Sequence, residues 1–257
     1  MNKKFILPLL ASGLLFSCNS TEKVTNKGAE EAPITDPAET EVWEPVPAVV
    51  SFNEAGIPSD AVVLFNGKNL DAWTSSKENV VNAPWIINND GSMTVSGGTG
   101  DIQTKESFGD MQLHIEWRSP QVIQGDGQGR GNSGIFLQSR YEVQVLDSYE
   151  NRTYSNGQAT AIYKQSIPLV NATKPTSEWQ AYDIIYHQPE FDADGNKTKS
   201  ATVTILHNGV LVQDHTEIQG TTEYIGKPKN EAHGEAPIKL QDHGNPVSYR
   251  NIWLRKL

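Results

Sequence analysis

The chain has 257 residues, room for one large domain or two small ones, and its 37% hydrophobic content and 14 prolines describe a globular protein with an extended tail. Its 31 acidic residues outnumber 21 basic ones, a net charge of −10 that argues against a nucleic-acid backbone or an anionic lipid surface as a charge-driven partner. A single cysteine, Cys18, excludes intrachain disulfides, thiolate zinc clusters and iron–sulfur ligation by this chain alone, while six tryptophans and eight tyrosines suit a flat polar ligand such as carbohydrate.

The chain opens with Lys3-Lys4 and an apolar run from Phe5 to Phe16, too short to span a bilayer comfortably and typical of a secretory signal over residues 1–17. Its end, Leu15-Phe16-Ser17-Cys18, resembles the lipobox of bacterial lipoproteins. That resemblance implies cleavage before Cys18, lipidation of Cys18 and a protein held outside the cytoplasm by its lipid alone, in the periplasm or at the outer membrane. Several acyl chains anchor stably where one does not. Loss of Lys3 and Lys4 moves the charge from −10 to −12. Residues 19–50 carry seven acids against Lys23 and Lys27, with few large apolar groups. Such a stretch cannot offset its ordering entropy by burial, so residues 18–57 are expected to be a solvated, self-repelling tether.

The folded domain is expected over 58–257, and short β-rich runs fill it. Ala61–Phe65, Trp85–Ile87 and Met93–Val95 come first. Met111 to Trp117 then alternates, with Met111, Leu113, Ile115 and Trp117 on one face. Ile135–Leu137, Tyr141–Leu146, Trp179–Tyr186, Ala201–Leu206, Val210–Val212 and Ile252–Leu254 follow. Asn208-Gly209 predicts a hairpin, because a type I′ turn needs positive φ at both central residues. Asp192-Ala193-Asp194-Gly195-Asn196 imitates a calcium loop but lacks the later bidentate glutamate, and is expected to be a hairpin turn. Trp117, Trp179 and Trp253 fall in predicted strands and are expected in the core, whereas Trp73 and Trp85 are undecided. No long amphipathic helix interrupts the strands, which indicates an all-β sandwich with few or no helices.

The segments Leu64-Phe65-Asn66-Gly67-Lys68-Asn69-Leu70-Asp71-Ala72-Trp73, Gly131-Asn132-Ser133-Gly134-Ile135-Phe136-Leu137 and Tyr141-Glu142-Val143-Gln144-Val145-Leu146-Asp147 resemble the bacterial 3-keto-disaccharide hydrolase domain family. Trp179–Asp183, Leu206–Gly209, Ile238–Gly244 and Tyr249–Trp253 extend the likeness in order to the end of the chain. The resemblance implies a concanavalin A-like jelly roll and a saccharide substrate oxidised at C3. It calls for no organic cofactor and names no metal ligand; a metal that polarises the ketone is compatible with it.

Period-2 alternation puts Glu142 and Gln144 on the face opposite Tyr141, Val143 and Val145. A bulge near Leu146 would bring Asp147 to the same face. Glu142-x-Gln144-x-x-Asp147 is similar to the Glu-x-Asp-x-x-Glu strand of β-glucanases, which supplies nucleophile and acid/base from carboxyls about 5–5.5 Å apart. Gln144 departs from that pattern. His243, after Ile238-x-Leu240, is a candidate base near neutral pH. The glycine-rich run Gly129–Gly134 lacks the lysine and helix of a phosphate loop, but Arg130 and Asn132 suit sugar hydroxyls or an oxyanion. Arg140 is a further ligand candidate that, by alternation, shares a face with Glu142.

A ketone at C3 makes the C2 proton acidic and places the C1 leaving group β to an enolate. The route needs a base at C2 (His243 or Glu142), donors at the C3 oxygen (Arg130, Asn132, Arg140 or Gln144) and an acid at the glycosidic oxygen (Asp147). A carbohydrate-binding lectin and a conventional glycosidase are the two other readings that this fold accommodates. Oligomeric state is not legible in these residues.

Overall fold

The computed structural model describes residues 33–257; the signal segment, Cys18 and the first part of the tether lie outside them. The chain divides into two units, Met1–Ala48 and Val49–Leu257. In the described part of the first, residues 33–48 are all exposed, as the acidic composition implies. One 3-10 turn, Pro37–Thr40, interrupts them, closed by an Asp36/Glu39 capping box. The second unit begins nine residues earlier than composition places it. Phe52 bridges Pro58, and Ser59 N donates to Ser51 O at 2.8 Å, so residues 51–59 form a small closed loop.

Fifteen strands follow: β1 (Val62–Phe65), β2 (Trp73–Ser75), β3 (Ile86–Ile87), β4 (Met93–Thr94), β5 (Ile102–Thr104), β6 (Met111–Arg118), β7 (Ser133–Leu137), β8 (Tyr141–Val145), β9 (Gln180–His187), β10 (Glu190–Phe191), β11 (Lys197–Lys199), β12 (Ala201–His207), β13 (Val210–Ile218), β14 (Lys239–Leu240) and β15 (Ser248–Lys256). An antiparallel eight-stranded sheet runs β13-β12-β9-β6-β15-β4-β3, with β1 also paired to β15. A five-stranded sheet runs β2-β5-β14-β7-β8, and β10-β11 is a separate hairpin at Asp194-Gly195. The fold is the expected all-β jelly-roll sandwich.

Alternation makes the core. In β6, β9 and β12 every second residue is buried, so Met111, Leu113, Ile115 and Trp117 join Tyr182, Ile184, Tyr186, Val203 and Ile205. Ile102, Ile135, Leu137, Val143, Val145 and Leu240 of the five-stranded sheet complete the same buried cluster. Each such side chain contributes about 1.5–3 kcal/mol when removed from water. Asn208 and Gly209 turn β12 into β13 with φ of 54° and 80°, the left-handed pair the sequence implied.

Trp73, Trp85, Trp117 and Trp253 are buried. Trp179 is not: it precedes β9 and lies half-buried with two guanidiniums over its ring, Arg118 at 4.5 Å and Arg250 at 4.1 Å from the ring centre. Its polarisable ring meets cations, not the core, which corrects the reading from its strand context.

Candidate active site

Residues of the five-stranded sheet that turn away from the core form the floor of a cleft. With Ile135, Leu137, Val143, Val145, Ile238 and Leu240 buried in the core, their neighbours Gly134, Phe136, Glu142, Gln144, Lys239 and Gln241 face the other way. Register aligns them in rows: Lys239 opposes Phe136, which opposes Glu142, and Gly134 opposes Gln144. The cleft measures about 680 Å³, and His243 lines it together with Glu142, Gln144, Asn132 and Gln241. Two long connections supply the rest of the wall, one with Tyr154, Tyr163 and Lys164, the other with Thr222 and Tyr224.

Strand β8 is the edge of its sheet, yet it is buried on both faces. Residues 160–163 pair alongside it: Thr160 N and Tyr163 N donate to the carbonyls of Gln144 and Glu142, at 2.9 and 3.1 Å. On the Thr222 side, Glu142 N donates to Thr222 Oγ1 at 2.9 Å. Glu142 is left 5% exposed. Its carboxyl fits only because residue 134 has no side chain, since a Cβ there would lie 2.6 Å from Glu142 Oε1 and 2.9 Å from Phe136 Cε2. Burial pushes the Glu142 carboxyl up to about 8, against the pull of the Lys239 ammonium and with a smaller push from Asp101. The carboxyl is therefore protonated at neutral pH, on the floor of an open cleft.

Gln144 is held in one orientation by a chain of amides. Gln128 Nε2 donates to Thr153 Oγ1 and Gly157 O (3.1 and 2.8 Å), and Asn132 Nδ2 donates to Gln128 O (2.7 Å). Both side-chain oxygens then face Gln144, whose Nε2 donates to them at 3.1 and 3.3 Å. The Gln144 Oε1 remains, buried and without a donor among the described residues. This corrects the expected role: the Gln144 amide nitrogen is spent on two side-chain oxygens, so it is not a donor to an oxyanion. Asn132 lines the cleft too, but its amide nitrogen is engaged by Gln128 O.

Asp147 and Arg130 lie elsewhere. The β7–β8 register runs unbroken from Ser133↔Val145 to Leu137↔Tyr141, so the expected bulge does not form within the ladder and Asp147 falls beyond the strand. Arg130 Nε donates to Asp147 Oδ2 at 2.9 Å, and its Nη2 donates to Tyr149 O and Thr176 Oγ1. Asp147 Oδ2 also accepts from Thr176 Oγ1 at 2.8 Å. The pair lines a separate hollow of about 290 Å³ with Pro120–Gln124 and Gly244–Pro246. Neither side chain lines the cleft, and both are occupied in joining loops. Arg140 does not line the cleft either; its Nη1 donates to Gln138 O at 3.0 Å. The acid beside His243 has its own structural task, for Asp242 accepts from Gly100 N and Gly244 N at 2.8 and 2.9 Å. Among the described residues no three His, Cys, Asp or Glu side chains gather as a metal site needs.

A family model of the 3-keto-alpha-glucoside-1,2-lyase-like domain matches residues 60–255. The chain belongs to the 3-keto-alpha-glucoside-1,2-lyase-like family. A 3-keto-disaccharide hydrolase of Bacteroides thetaiotaomicron is 25% identical over 303 aligned positions that cover 99% of each chain. A crystal structure from Parabacteroides distasonis, titled as a glycosyl hydrolase, is 53% identical, with a TM-score of 0.82 over 86% of this chain and 97% of that one. A second Parabacteroides distasonis structure shares the fold at 20% identity, with a TM-score of 0.55 over 77% of this chain and 94% of that one.

Within this family member, the cleft residues the sequence reading missed fall into two groups. Gln241 carried a signal, because the inward Ile238-x-Leu240 turns Gln241 outward together with His243. Tyr154, Tyr163, Lys164 and Tyr224 carried none, since they sit in connections without period.

Proposed function

We propose that this chain is an exported glycoside-cleaving enzyme whose substrate is a glycoside oxidised to a ketone at C3. The observation that carries the reading is Glu142, a carboxyl kept protonated by burial on a cleft floor that His243 also lines. Acids tuned in this way serve as proton donors at neutral pH. His243 takes the C2 proton while Glu142 gives its own to the glycosidic oxygen. The C1–O bond breaks, the alcohol leaves, and the electron pair released at C2 forms the C1=C2 bond of an enone. Addition of water at C1, with a proton returned to C2, completes hydrolysis; release of the enone is the lyase outcome. Lys239, 3.3 Å from Asp101 and 4.1 Å above the Phe136 ring, lends positive potential to the floor as the enolate develops.

The family match and the names of the relatives at 53% and 25% identity support a sugar-cleaving enzyme. Export rests on the signal-like residues 1–17 and Cys18. The test incubates the purified protein with matched glycosides and 3-keto-glycosides and reads the products by chromatography, in ordinary and heavy water. Cleavage of the keto form alone, with deuterium entering C2, is expected. Cleavage of ordinary glycosides would establish a conventional glycosidase, and binding without turnover a lectin.

A further inference from the structure

The floor of the cleft is polar, but one wall is aromatic. Tyr224 lines it while remaining 72% exposed, an unusual state for a large ring in a fold that buries most of its aromatics. The ring is not loose. Lys164 Nζ sits 4.3 Å from its centre and donates to the Tyr224 carbonyl oxygen, so the ammonium fixes both the ring and the loop that carries it. The same ammonium lies 5.8 Å from the Tyr154 ring and 5.6 Å from the Tyr163 ring. Tyr154 and Tyr163 share a hydrogen bond of 2.6 Å between their hydroxyls, with ring planes at 61°. Tyr154 is further pinned because its ring lies against the α-carbon of Gly157, where any Cβ would overlap it. Three tyrosines from two connections are thus gathered around one cation, beside the Gly157 carbonyl that accepts from the Gln128 amide.

We infer that Tyr224, supported by Tyr154, is a stacking platform for the second ring of the substrate, the leaving group beyond the bond that Glu142 protonates. The inference rests on the proposed reaction and adds to it the residues that would receive the leaving-group ring of a disaccharide, the substrate that the name of the 25% identical relative carries. Three arguments support it. A cleft of about 680 Å³ lies within the range of roughly 300–1,000 Å³ that encloses ligands larger than one small ring. The C–H faces of a pyranose match the electron-rich face of an aromatic ring. The rigidity imposed by Lys164 lowers the ordering cost of binding.

The test measures kcat and KM of the intact protein and of Tyr224→Ala, Tyr224→Trp and Tyr154→Ala on a 3-keto-disaccharide and on the corresponding 3-keto methyl glycoside. Binding of the unoxidised disaccharide is followed in parallel by NMR titration. Tyr224→Ala should raise KM for the disaccharide about 10-fold and weaken its binding equally, with kcat/KM on the methyl glycoside within about two-fold of wild type. Tyr224→Trp should retain disaccharide binding, and Tyr154→Ala should move the same parameters in the same direction as Tyr224→Ala. Equal losses on both substrates, or undiminished disaccharide binding in Tyr224→Ala, would overturn the platform. So would a wild-type protein that binds no disaccharide. If the wild type cleaves neither substrate, the proposed reaction falls, while disaccharide binding that weakens in Tyr224→Ala still sustains the platform.

Discussion

Burial of the Glu142 carboxyl opposes folding at neutral pH. Its ordinary value is 4.5 and the folded protein holds it at about 8, so the unfolded chain releases a proton that the folded one keeps. The contribution of this group to stability is full below pH 4.5, falls as pH rises, and reaches its minimum above about 8. Glu142→Gln removes that penalty while preserving shape. The variant should match wild type near pH 4.5 and exceed it by an amount on the order of a few kcal/mol above pH 8, measured by chemical denaturation at both ends. Turnover should fall about 10²–10⁴-fold, as for a lost general acid. A variant less stable than wild type at alkaline pH would contradict the buried-acid assignment. Asp147 makes the opposite prediction. It is 2% exposed and paired to Arg130, and removing one partner of a buried pair costs about 3–5 kcal/mol. Asp147→Ala should therefore lower the melting temperature sharply, and any folded fraction should keep its turnover within several-fold. Loss of turnover without loss of stability would return Asp147 to the chemistry. On the outer face of the eight-stranded sheet, burial pulls His114 down, but the hydrogen bond to Asp183 at 2.6 Å and the Glu116 carboxylate 3.6 Å away outweigh it and raise the imidazole to about 9. That cluster contributes stability below pH 6.5 that is lost as pH rises through about 9, in the same direction as Glu142.

At the scale of strands, the close approach of β7 to the Glu142 carboxyl is the point where local sequence and site meet. A methyl group at residue 134 would stand 2.6 Å from Glu142 Oε1 and 2.9 Å from Phe136 Cε2, so one of those side chains must move to admit it. Gly134→Ala should cost about 1–3 kcal/mol, the range for overpacking, and displace the carboxyl enough to cut kcat at least 10-fold with little change in KM. Unchanged kcat would mean that the carboxyl position is unimportant. The legibility of the fold follows element length. Strand β6 alternates over eight residues and could be read directly, face and all. Strands β2, β5 and β14 have two or three residues each, too few to express a period, and they are three of the five strands of that sheet. The alternation of Glu142 and Gln144 was legible. The burial of β8 was not, because it is imposed by residues 160–163 and by Thr222, distant in sequence and visible only in three dimensions. The separation of Asp147 and Arg130 from the cleft was hidden for a related reason: strand alternation says nothing about a residue that has left the ladder.

For the whole molecule, the cleft belongs to the second unit, and the first supplies an acidic, exposed segment. The described residues 33–48 are exposed throughout, including Trp43 at 79%, and the compact unit starts at Val49. A segment of this composition adds little burial, so deleting residues 19–48 should move the melting temperature of the exported protein by less than about one or two degrees. A larger drop would mean that the tether docks on the folded unit. Cys18 is the chain's one cysteine and stands where the lipobox resemblance requires it. With no other thiol to acylate, Cys18→Ala should be exported but unanchored, recovered in the soluble fraction with the specific activity of the anchored form. Activity is the useful control here, because the cleft is lined entirely by residues between 128 and 243 and by none of the N-terminal unit. A Cys18→Ala protein that stays with membranes after a salt wash, when the net negative charge already disfavours anionic lipid, would place the attachment in some other part of the chain.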